Sequence, residues 1–120
     1  MEVYSPERVC KVANEHGLVG GASIDLKTGW DLSRESDRGK MWRVIEHDRP
    51  KTIIVSPECT MFSKLQRLTK WSTAKQVRYD AAVSHIKIAM EICTHQIRNG
   101  KYFVYEHPAH VDSWKLKEVQ

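Results

Sequence analysis

A chain of 120 residues, 41% of them hydrophobic, is long enough to bury one core and short for a complete α/β enzyme. Nineteen basic against fifteen acidic side chains give a net charge of +4, which suits a polyanionic partner without requiring one. Cys10, Cys59 and Cys93 lie in no disulfide or zinc-type spacing, no apolar run approaches the roughly 18 residues of a membrane span, and MEVYSPERVC lacks a signal-peptide core. The expectation is a soluble intracellular protein with no metal and no membrane partner.

Met1–Tyr4 reads as a short strand stopped by Ser5-Pro6. A helix through His16 follows, turning Val9, Cys10, Val12 and Ala13 toward a sheet and ending at Gly17. Gly20-Gly21 leads into a strand over Ala22–Leu26. Its Asp25 stands where dinucleotide-type folds hold a ribose hydroxyl, although no glycine-rich fingerprint precedes it; a loop aspartate capping a turn is an equal reading. Thr28–Leu32 is a turn containing Trp30. Ser36 or Asp37 then caps a helix to Asp48 with Met41, Trp42, Val44 and Ile45 on its buried stripe, ended by Arg49-Pro50.

The β-branched run Ile53–Val55 reads as a buried central strand, broken at Ser56-Pro57 and followed at once by Cys59, Thr60 and Phe62. Ligands of doubly wound sheets sit just beyond such strand ends. Cys59 is there either a nucleophile or a small buried hydrophobe. Thr60–Tyr79 then carries Lys64, Arg67, Lys70, Lys75 and Arg78 with no acidic residue, interleaved with Phe62, Trp71 and Tyr79. That pattern suits a phosphate backbone with bases to stack upon, or a solvated helix face over buried rings.

From Thr73 to Asn99, Val77, Ala82, Ile86, Ala89, Met90, Cys93 and Ile97 recur at helical spacing, with His85 and His95 at the edges as surface or core histidines. Tyr102–Tyr105 is a strand ending in Glu106-His107-Pro108, and Val111–Gln120 reads as the start of another helix. The four tryptophans read as packing residues. The βαβαβαβ order predicts an α/β fold: one Rossmann-like domain over 1–120, a mostly parallel sheet with helices on both faces, incomplete at the C-terminal end. A Cys59 hydrolase with His107 or His110 as base is a further, weaker reading.

Pro57-Glu58-Cys59-Thr60-Met61-Phe62-Ser63, Glu106-His107-Pro108 and Gly29-Trp30-Asp31-Leu32 together resemble the motifs of the C5-cytosine DNA methyltransferases. Their Pro-Cys-Gln-x-Phe-Ser holds the nucleophile, their Glu-Asn-Val the acid, and their Gly-Asp-Ile the aspartate that meets the adenine of S-adenosylmethionine. Over nearly its whole length the chain is also similar to a methyltransferase-like group with Ser-Pro-Pro-Cys-Thr and Glu-His-Pro signatures, associated with retroelement polyproteins.

The resemblance implies an S-adenosylmethionine-dependent domain acting on nucleic acid, DNA first. It assigns Cys59 as the thiolate that attacks C6 of cytosine and Glu106 as the acid at N3. Tyr4, Ser5, Asp25, Asp31 and Pro57 would border the cofactor, and Lys64, Arg67, Lys70, Lys75 and Arg78 would hold the nucleic acid. Val3–Arg8 replaces the family's glycine-rich first motif, and Glu58 separates Pro57 from Cys59. The alternative is a catalytically silent nucleic-acid or protein-binding module on the same fold.

Overall fold

Thr52–Val55 and Tyr102–Tyr105, runs of β-branched and aromatic residues, form strands, and three segments of helical periodicity form helices. In the computed structural model, which describes residues 1–120, β1 (Glu2–Val3), α1 (Val9–Glu15), β2 (Ser23–Ile24), α2 (Glu35–Asp48), β3 (Thr52–Val55), α3 (Thr73–Arg98) and β4 (Tyr102–Tyr105) follow in that order. The four strands form one sheet in the order β2-β1-β3-β4, every pair parallel. This is the expected Rossmann-like α/β arrangement.

Register fixes the two faces. Ile24, Val3, Val55 and Tyr105 lie side by side across the sheet. They share a face because side chains of paired residues point the same way. Onto that face pack Met41 and Ile45 of α2 and Ile88, Ala89, Ile92 and Cys93 of α3, forming the main core. Glu2, one residue out of phase, points to the opposite face, where α1 sits. Both faces therefore carry helices, α1 on one and α2 with α3 on the other.

Glu2 explains why α1 begins where it does. Its buried carboxylate accepts the backbone N–H groups of Arg8, Val9 and Cys10 at 3.0–3.1 Å, and the hydroxyls of Ser5 and Ser23 at 3.2 and 3.4 Å. Those N–H groups are the orphan donors of the helix N-terminus. The Ser-Pro-Glu turn expected as the cap is thus replaced by a residue of β1, and only Cys10 of α1 is buried. Val9 and Val12, expected against the sheet, are 49% exposed. Gly20 permits the return to β2, since a Cβ there would collide with the Cys10 carbonyl.

Further differences follow from packing. The stripe of α3 buries Ile86, Ala89 and Cys93 as expected, adds Ile88, Ile92 and Gln96, and leaves Val77 and Ile97 exposed. Gln96 is buried because its amide donates to Pro50 O and Tyr102 O, tying the connections that flank β3 and β4. Val111–Gln120 forms only a short 3-10 turn, Asp112–Lys115, rather than a helix. Of the tryptophans, Trp71 and Trp114 are exposed.

Candidate functional site

Because all strands are parallel, Tyr4, Asp25, Ser56 and Glu106 emerge at one edge of the sheet. The connection from β1 leads to one side and the next returns to the other, so the strand order reverses between β1 and β3. Crevices at such a point are where α/β sheets bind ligands. A cleft of about 480 Å³ opens there, lined by Tyr4, Asp25, Trp30, Asp31, Ser56 and His85 among others. Its size is in the range of small-molecule and cofactor sites.

Asp25 caps the Leu26–Thr28 turn, its Oδ2 accepting from the Lys27 amide at 3.0 Å while its own amide donates to the Thr28 hydroxyl. Asp25 thus caps the turn and also borders the cleft. Asp31 accepts both the hydroxyl and the amide of Ser33, and Arg34 stands 3.5 Å from its Oδ2. The Ser33 hydroxyl and amide hold its carboxyl below the usual range. It is therefore an anion and an acceptor at neutral pH.

Tyr4 is the non-glycine residue of the first loop at φ +63°. A left-handed backbone costs an aromatic residue about 1–2 kcal/mol, so its surroundings must hold it there. His85 of α3 does so: the Tyr4 hydroxyl lies 2.8 Å from His85 Nδ1 and the rings meet edge to face at 5.3 Å. Burial lowers the His85 pKa against the opposing pull of Asp31, and burial raises that of Tyr4 well above its ordinary value. The pair is neutral at pH 7. The Tyr4 hydroxyl is within reach of both His85 Nδ1 and the His85 carbonyl, and His85 borders the cleft.

Sequence reasoning placed His85 only at a helix edge. The available signal was Ala81 and Ala82 one turn before it, whose small side chains leave the space that His85 overlooks. Trp30 packs against the main core, as read, and also borders the cleft that holds both carboxylates.

Several expected site residues lie elsewhere. Ser5 is buried against Glu2, with its hydroxyl also donating to the Pro6 carbonyl, so it faces away from the cleft. Pro57 is buried, and its carbonyl accepts the Nε2–H of His107 at 2.6 Å. His107 Nδ1 takes the Ser113 hydroxyl at 2.6 Å and faces the Tyr105 hydroxyl at 3.2 Å. With both nitrogens committed, His107 is no base for Cys59.

Cys59 sits at φ −106°, ψ −1°, the sparsely allowed region where many active-site residues are found, and opens the Thr60–Phe62 turn. It packs beside Phe62, Ile86 and Val111. Glu106, exposed, follows β4, its amide bonded to Val55 O of the neighbouring strand at 2.9 Å. Cys59 and Glu106 thus occupy adjacent strand-end loops, and neither lines the cleft that holds Asp25 and Asp31.

Among the basic residues, Lys64, Arg67, Lys70 and Arg78 are exposed, and Arg78 borders the cleft. Lys75 is a correction. It is 3% exposed, and its Nζ donates to Gln66 O, Thr69 O and the Thr69 hydroxyl, so it fastens the preceding loop rather than meeting phosphate. Lys75→Met is expected to cost about 2 kcal/mol in urea unfolding by orphaning these acceptors.

No family model, curated protein or solved structure matches the chain. No cluster of three or more metal-ligating side chains forms, and no helix is long and apolar enough to cross a membrane.

Proposed function

We propose that the chain is an S-adenosylmethionine-dependent methyltransferase-like domain of the cytosine-C5 type acting on nucleic acid. The observation that carries this reading is the meeting of Asp25, Asp31 and Trp30 in one cleft at the point where the strand order reverses. Two carboxylates suit ribose hydroxyls and an exocyclic amine, an indole suits a purine face, and the His85 imidazole adds a further polar group to the lining. The donor set therefore fits a nucleoside, with Tyr4 in place of a glycine loop. When bound, S-adenosylmethionine supplies an electrophilic methyl group. Cys59, on the loop whose Glu58 and Thr60 line the cleft, is the nucleophile of this reading, and Glu106, on the neighbouring strand-end loop, the group that holds or delivers a proton at the base.

Calorimetric titration with S-adenosylmethionine tests it. Micromolar binding is expected, and Asp31→Asn is expected to weaken it tenfold or more, since a charge-assisted hydrogen bond contributes about 1.5–3 kcal/mol. Cys59→Ala is expected to bind the cofactor unchanged and to transfer no methyl group to a cytosine-containing strand. No heat from a folded wild-type chain would overturn the reading.

The silent-module reading draws on a specific observation of its own: Cys59 is packed into the Phe62 cluster, and neither Cys59 nor Glu106 lines the cleft. It predicts nucleic-acid or protein binding with no methyl transfer by the wild-type chain.

A further inference from the structure

Lys64–Ser72 reads Lys-Leu-Gln, Arg-Leu-Thr, Lys-Trp-Ser: three triplets of cation, apolar and polar residue. Lys75 fastens this segment from behind: its Nζ donates to Gln66 O, Thr69 O and the Thr69 hydroxyl while its amide donates to the Ser72 hydroxyl. The apolar positions point out, with Leu65 70%, Leu68 80% and Trp71 49% exposed. The cations Lys64, Arg67 and Lys70 are exposed beside them.

Lys64–Leu68 is a 3-10 helix. With three residues per turn, Lys64 and Arg67 stand about 6 Å apart along the axis, with Leu65 and Leu68 in the same relation beside them, and the chain then leaves the helix at the extended Thr69 and carries Lys70 and Trp71 onward. That step is comparable to the phosphate repeat of an extended nucleic-acid strand, and the neighbouring apolar stripe lies where its unstacked bases would fall.

We propose that Lys64–Ser72 is a rail for single-stranded DNA, cations on the phosphates and Leu65, Leu68 and Trp71 against the bases. The proposal rests on the reading that the chain acts on nucleic acid, and it names the form of that substrate. Two features favour a strand over a lipid surface. Three apolar side chains are a small area for interfacial insertion. The rail also leads inward: Trp71 meets Tyr79 edge to face at 5.9 Å, Tyr79 meets Phe62 at 5.6 Å, and Arg78 borders the cleft. A strand on the rail is thereby delivered to the cleft at Arg78. Arg67 also reaches Asp112 at 3.4 Å, an exposed contact that a phosphate can replace.

Fluorescence anisotropy with a labelled 12-nucleotide mixed-sequence single strand, and with the duplex of the same sequence, is the test. The single strand is expected to bind at least tenfold tighter. Lys64→Gln with Lys70→Gln is expected to reduce the slope of log affinity against log salt by about 0.7 for each cation removed. Trp71→Ala is expected to weaken binding about tenfold, and Leu68→Ser, at an exposed position that folding does not need, about threefold. S-adenosylmethionine titrations of these variants are expected to match wild type. Equal or tighter duplex binding, or single-strand binding indifferent to these substitutions, would overturn the rail and leave the nucleic-acid reading standing. Binding only to phosphatidylserine vesicles, or to nothing, would overturn both.

Discussion

Glu2→Gln is expected to lower folding stability by about 3 kcal/mol, read as a shift of the urea midpoint with unchanged slope. The carboxylate is 1% exposed and gathers three backbone N–H groups and two hydroxyls, and in doing so joins β1, β2 and the start of α1. Gln is nearly the same size and keeps one oxygen, but its NH₂ would face donors, so at least one buried donor is left without a partner. Burial works against the Glu2 charge, and the Arg8, Cys10 and Val9 amides outweigh it, holding the pKa below the usual value of 4.5. A carboxylate with a depressed folded pKa binds fewer protons folded than unfolded. Its contribution is full above pH 4.5 and is lost as pH falls through the folded value. In Glu2→Gln that acid-limb slope should shrink.

The second large effect is at His107. His107→Leu removes the donor to Pro57 O and the acceptor of the Ser113 hydroxyl, both at 2.6 Å, and is expected to cost about 3 kcal/mol. The loss should concentrate in hydrogen exchange of residues 108–120, because His107 fastens that segment to the loop after β3. Burial holds the His107 pKa below 6.5, opposed by the Pro57 carbonyl and Glu106. Burial also lowers that of His85. Histidines with lowered folded pKa values favour the neutral fold. Stability is therefore full above pH 6.5 and declines as pH falls from there toward their folded values. His107→Leu should flatten the upper part of that decline.

What the sequence disclosed was local. The apolar run Ile53–Val55, the helical stripe ending at Cys93, and the proline and glycine stops set strand and helix positions within a few residues, and element order alone implied the parallel sheet. Asp25 could be singled out because it follows directly on a strand, and Asp31 through the likeness of Gly29–Leu32 to the methyltransferases' Gly-Asp-Ile. Long-range pairings had no local signature. Nothing near Glu2 says that its carboxylate will cap a helix six residues on; nothing near His107 says that it will reach Pro57, fifty residues away. Lys75 looked like its basic neighbours because a charge count ignores that three acceptors from the preceding loop converge on its ammonium. Periodicity likewise overstated α1, where Glu2 rather than an apolar stripe anchors the helix and only Cys10 is buried.

The cleft as a nucleoside site is the centre of this account, and ¹⁵N-resolved NMR of the chain titrated with S-adenosylmethionine addresses it most directly. The expected result is saturable shifts of the Trp30 indole and of the Tyr4, Asp25 and Asp31 amides, together with the His85 ring nitrogens, while α1 and the far side of the sheet stay in place. Shifts confined to other surfaces, or none at millimolar ligand in a chain with native dispersion, would contradict it.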